Sequence, residues 1–120
     1  MRTIACLLFT VCSFMSSGAN AATYTAGEAQ AHIGDHGTVC GLVASAKYAT
    51  STNRQPTFLS LDRAYPNQVF TALIWGKDRD AFPYAPESLQ GSSICVKGTI
   101  TSYKGRAEII VNNPDQITKK

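Results

Sequence analysis

The stretch Ser93–Val111, SICVKGTITSYKGRAEIIV, constrains the fold more than any other part of this sequence. Ile94, Val96, Gly98, Ile100 and Ser102 fall on one parity, and Cys95, Lys97, Thr99, Thr101 and Tyr103 on the other. That is the period of a strand with one buried face. Lys104-Gly105 then reverses the chain, since glycine takes positive φ freely. Ala107, Ile109 and Val111 resume an apolar parity, with Glu108 pointing away. A Val-x-Gly-x-aliphatic pattern recurs at Val39-Cys40-Gly41-Leu42-Val43 and Val96-Lys97-Gly98-Thr99-Ile100. Glycine inside a strand weakens it unless a bulge or sharp coil is needed there. Two such strands in a short chain predict a small, strongly curved barrel.

The beginning of the chain reads differently. Met1-Arg2 is positive, Ile4–Met15 is apolar, and Ser16–Ala21 ends in the small-x-small pattern that signal peptidase accepts. The apolar run is shorter than the roughly 20 residues of a spanning helix. Cleavage is expected after Ala21, and Val11 is a poor fit for a lipoprotein site at Cys12. Residues 22–120 then make one periplasmic or secreted domain of about 100 residues with a single modest core. Eleven Lys+Arg face eight Asp+Glu. Without Arg2 the balance is about +2, too mild to identify a polyanion partner unless the charges cluster. Of the four cysteines, Cys6 and Cys12 lie in the leader, leaving Cys40 and Cys95. This is an even pair in an exported chain, on the outward parity of the two Val-x-Gly strands, and a disulfide across paired strands is expected. A metal site needs about two more ligands, and none is suitably spaced. Neither metal nor cofactor is expected, and the domain should be a monomer.

Thr25-Ala26-Gly27-Glu28 reads as a capping box ahead of a short helix, Glu28–His32, stopped at Gly34. His32, Asp35 and His36 read as a solvated helix end, because Gly34 separates the two histidines. Strands are predicted at Thr38–Tyr48, Pro56–Leu61 and Val69–Trp75, the last apolar on both parities. Ala49–Gln55 is a loop, and Tyr65-Pro66-Asn67-Gln68 a turn with proline second. Gly76–Gly91, with Pro83 and Pro86, allows helical turns only around Asp78–Phe82 and after Pro86. Two more strands follow within Ser93–Val111; Asn112-Asn113-Pro114 ends the sheet, and Lys119-Lys120 is a frayed tail.

Five strands with an irregular connection between the third and fourth is the order of an OB-fold, an all-β Greek-key barrel. In TVCGLVASAKY (Thr38–Tyr48), PTFLSLDRAYPNQVFTALIWGKDR (Pro56–Arg79), ICVKGTITSYKGRAEIIV (Ile94–Val111) and the trailing NPDQI (Asn113–Ile117), the chain resembles small exported OB-fold proteins described as nucleic-acid-binding or DNA-binding. It is also similar to the OB modules of some bacterial extracellular nucleases. The resemblance implies a five-stranded barrel with a short N-terminal helix and an irregular, Pro-containing connection between strands three and four.

OB-folds bind on their second and third strands, between the loops joining strands one to two and four to five. Here those loops hold Lys47, Tyr48 and Arg54 on one side and Tyr103, Lys104 and Arg106 on the other, with Phe58 and Trp75 on the strands between. Cations that follow phosphates, and rings that stack bases, suit single-stranded DNA or RNA. In the bland alternative Phe58 and Trp75 are core, and the loop cations are ordinary solvated charges. Lys77, Asp78, Arg79 and Asp80 alternate in sign and suit surface ion pairs. Two other functions compete: a periplasmic protein- or oligosaccharide-binding module using the same face, and a metal-dependent nuclease. For the nuclease, Asp62, Asp78, Asp80 and Glu87 are the available carboxylates, without the Asp-Gly-Asp stretch of staphylococcal-type enzymes. No Ser/His/Asp order or Cys/His pair points to nucleophilic catalysis, so no catalytic residue is assigned.

Overall fold

A computed structural model describes residues 22–120, and the predicted leader lies outside the described residues. The chain is mostly β. Its strands are β1 (Ala22–Thr25), β2 (His36–Tyr48), β3 (Thr57–Leu61), β4 (Phe70–Ile74), β5 (Ser93–Thr99), β6 (Thr101–Tyr103), β7 (Arg106–Ile110) and β8 (Ile117–Lys119). Short 3-10 turns cover Glu28–His32, Gly76–Ala81, Pro86–Leu89 and Pro114–Gln116. All strands join one sheet in the order β6-β7-β4-β3-β2-β5-β8, with β1 on β2. The β1–β2 and β4–β7 pairings are parallel and the rest antiparallel. Only Ile100 separates β5 from β6, so one continuous run pairs with β2 at its start and with β7 at its end.

The thirteen-residue β2 serves two partners because it changes register. His36–Leu42 pair with β5, and Val43–Tyr48 with β3, with a register shift between Val43 and Ser45. The irregularity therefore falls at Ala44, not at the expected Gly41. Before it Val39 and Val43 point into the core; beyond it Ala46 packs there instead. An extra residue in one strand reverses which parity faces inward. Gly98 lies in the closing run, where an added Cβ would stand 2.8 Å from a methyl of Ile109. Val39 and Val96, the valines of the two repeated patterns, stand directly opposite each other.

The core takes one parity from each strand: Leu59 and Leu61; Phe70, Ala72 and Ile74; Ile94 and Val96; Ala107 and Ile109. Periodicity could not choose a side for β4; pairing does so, placing Phe70, Ala72 and Ile74 inward and Thr71 with Leu73 outward. Each large side chain so buried contributes about 1.5–3 kcal/mol. Cys40 and Cys95 are disulfide-bonded across directly opposed positions of β2 and β5.

Local signals are largely realised. Thr25 N–H donates to Glu28 Oε1 (2.8 Å) and Glu28 N–H to Thr25 Oγ1 (3.2 Å), so the reciprocal box forms ahead of the Glu28–His32 turn. His32 bonds Asp35 (3.1 Å) and stacks on Tyr24, while His36 is 3.4 Å from Thr99 Oγ1. Two expectations are corrected. Asn67 N–H donates to Ala64 O, so the turn runs one residue earlier and holds Pro66, after a cis peptide, in third place. The C-terminus does not fray: Asn113 caps the Pro114–Gln116 turn, which returns the chain to pair Ile117–Lys119 with β5.

Candidate nucleic-acid interface

The outer face of the sheet carries a row of small polar side chains. Ser45 pairs with Ser60, Ser60 with Thr71, Thr71 with Glu108, and Glu108 with Thr101, crossing five strands. The neighbouring row runs from Lys47 through Phe58 and Leu73 to Ile110. Phe58 is therefore on this outer face and not in the core.

Two loops wall this face into a groove of about 760 Å³. One wall is the β3–β4 connection with Tyr65, Pro66 and Gln68, and the other is the β6–β7 hairpin with Tyr103, Lys104 and Arg106. Lys47, Phe58, Ser60, Thr71 and Glu108 also line it. The hairpin is rigidly specified. Lys104 and Gly105 both take positive φ (52° and 81°), as a two-residue turn between the paired Tyr103 and Arg106 requires. Gln30 braces it from behind, donating to Gly105 O (2.7 Å) and accepting from Ala107 N–H (3.0 Å). Arg106 Nη1 donates to Pro66 O at 2.6 Å, tying the two walls together. Tyr65 N–H donates to Ser45 Oγ, fixing the other wall to β2. Tyr65 and Tyr103 are exposed, at 74% and 59%, and Lys104 Nζ lies 5.3 Å from the Tyr103 ring centre.

The expected site residues divide into three groups. Lys47, Phe58, Tyr103, Lys104 and Arg106 meet in the groove. Arg54 and Trp75 meet each other in an adjoining cleft of about 550 Å³, the guanidinium 4.4 Å from the ring centre. Tyr48 belongs to neither. Strand β2 extends through it, so it must face opposite to Lys47, and there the Arg79 guanidinium covers its ring at 3.5 Å. Arg79 also donates to Thr57 Oγ1 (2.7 Å) and pairs with Glu87 (2.8 Å), while Lys77 pairs with Asp78 (3.2 Å). The hydrogen bond from Arg79 holds the Glu87 carboxyl below its ordinary value.

Tyr65, Gln68 and Glu108 line the groove without having been foreseen. Glu108 was the most legible of them, a lone acid in the apolar segment Ala107–Val111. It points away from the core as expected, but into the groove and not into open solvent. Burial pushes its carboxyl above the ordinary range.

No protein-family model matches the chain, and no curated protein matches it either. A solved structure, that of a Leishmania major Friedlin protein assigned as an aspartyl-tRNA synthetase, shares the fold. The likeness has a TM-score of 0.50 and 12% identity over 89% of this chain. This chain spans 22% of that protein's length.

Proposed function

We propose that this protein is an exported, non-catalytic OB-fold that binds single-stranded nucleic acid along the outer groove. The groove itself carries the reading: three rings (Phe58, Tyr65, Tyr103) and three cations (Lys47, Lys104, Arg106) converge on one concave face. Flat rings stack bases at about 1–3 kcal/mol each, and cations beside them follow the backbone. The β2-β3-β4-β7-β6 path and the return through β5 support a five-stranded barrel, with β1 and β8 as additions at its rim. The fold neighbour is assigned as an enzyme that acts on tRNA, which agrees with a nucleic-acid ligand. Both cysteines of the described residues are joined in the disulfide, so neither offers a thiol nucleophile.

Salt dependence tests the reading. Three phosphate contacts predict a slope of log affinity against log salt of about −2, roughly a 20-fold loss between about 50 and 200 mM. Fluorescence anisotropy with single-stranded and duplex oligonucleotides should show this slope and a preference for the single strand. The double variant Lys47→Ala/Lys104→Ala should flatten the slope by about 1.4. Binding that ignores salt, with oligosaccharides competing, would transfer the groove to a glycan ligand. Export rests on the Met1–Ala21 pattern and the disulfide. Intact-mass measurement on exported protein should find a chain starting near Ala22, and a retained leader would defeat that assignment.

A further inference from the structure

The groove is cationic at its rim but not on its floor. Glu108 is 8% exposed, and its carboxylate forms no hydrogen bond among the described residues. The nearby Thr101 hydroxyl is turned to the Glu108 backbone carbonyl at 3.1 Å and does not serve the carboxylate. Gln68, which lines the same groove, has its Oε1 enclosed by the protein without a partner among the described residues, so it is not offered to a ligand. The Glu108 side chain is over nine-tenths buried yet keeps its carboxylate facing the groove, and a carboxylate so placed is stabilised by a donor. A carboxylate on the groove floor with no protein donor of its own suits a ligand that brings N–H or O–H donors. A phosphate brings none, and the carboxylate would repel it. On the reading that the ligand is a single strand, its backbone therefore tracks Lys47, Lys104 and Arg106 while a base edge turns down to the floor.

Base chemistry narrows the choice. Guanine alone has two adjacent donors, N1–H and N2–H, on its Watson–Crick edge, spaced to meet both oxygens of one carboxylate. Adenine and cytosine set one amine beside a ring acceptor, which would face a carboxylate lone pair. Thymine and uracil flank a single N–H with two carbonyls. We propose that Glu108 reads guanine, so the groove prefers guanine-bearing single strands. This rests on the nucleic-acid reading and adds to it a base preference that cations and rings cannot supply.

The test compares three equal-length probes, alternating thymine with guanine, adenine or cytosine, titrated against the purified protein at low salt. The guanine probe should bind about tenfold tighter, the scale of one good bidentate contact. Glu108→Gln should remove that advantage while leaving the adenine and cytosine probes bound at least as well, because a negative charge has left the groove. Equal affinity for all three probes in the parent protein would overturn the guanine assignment yet leave single-strand binding standing. That comparison needs no variant to fold. A guanine preference that survives Glu108→Gln would equally remove Glu108 from the role. Failure of every probe would overturn the nucleic-acid reading and the guanine preference together.

Discussion

Replacing Cys40 and Cys95 together by alanine should be among the most destabilising changes that leave the core untouched. The bond closes a loop with a sequence separation of 55. In the chain-entropy treatment a loop of that size raises folded-state stability by about 4 kcal/mol, by restricting the unfolded chain. Both residues point outward from β2 and β5, beside the buried Val39 and Val96, so alanine opens no cavity in the core. The cross-link term is thus nearly isolated. A domain of about 100 residues has a total stability of about 5–15 kcal/mol. The loss should lower Tm by about 15–30 °C, at about 4–8 °C per kcal/mol. Urea denaturation of parent and variant, followed by intrinsic fluorescence, measures it. The variant should also show a steeper dependence on urea, since its unfolded state is less confined. A loss below about 1 kcal/mol with an unchanged slope would show that the bridge does not restrict the unfolded chain, and would refute the reasoning.

Two further outcomes follow from charged groups. Arg79→Ala removes the Glu87 pair, the bond to buried Thr57 and the cover over Tyr48, and should destabilise by about 2–3 kcal/mol at neutral pH. Because Arg79 lowers the Glu87 pKa, that part of the stability is present above the unfolded pKa and lost as pH falls through the folded one. Denaturation at pH about 7 and about 3 should therefore show a smaller penalty in acid; a pH-independent penalty would exclude the ion pair as its source. Glu108 has the opposite sign. Its pKa is raised from 4.5 by burial, so its contribution is full below the unfolded pKa and lost as pH rises through the folded value. Glu108→Gln should raise Tm at neutral pH and leave it nearly unchanged near pH 4, and a destabilised variant at pH 7 would contradict this.

Much of the fold was legible because its signals are local. The alternation in Ser93–Thr99, the Lys104-Gly105 turn and the Thr25/Glu28 box each specify geometry within a few residues. The disulfide was legible because both cysteines share an outward parity. What escaped depends on pairing between distant strands. The parity switch at Ala44 is visible only once β2 is set against both β3 and β5. Lys47 and Tyr48 close the strand predicted over Thr38–Tyr48 and are both expected on one wall of the site, whereas successive residues of that strand face opposite sides. Strands β1 and β8 are three or four residues long, too short to show a period. The groove depends on the β3–β4 connection folding over β2 and the β6–β7 hairpin meeting it through Arg106. Tyr65, Gln68 and Glu108 are therefore neighbours only in three dimensions.

The register shift at Ala44 also has a kinetic consequence. It divides β2 into halves with different reach along the chain. The later half meets β3 close by, with Tyr48 opposite Thr57, while the earlier half must find β5, with Cys40 opposite Cys95. Closing a short loop is entropically cheaper than closing a long one, and chains dominated by distant pairings fold slowly. In the reduced chain the β2–β3–β4 meander can therefore assemble ahead of the β2–β5 seam. Oxidation ties that seam together in the unfolded chain, so the disulfide should speed folding as well as stabilise its product.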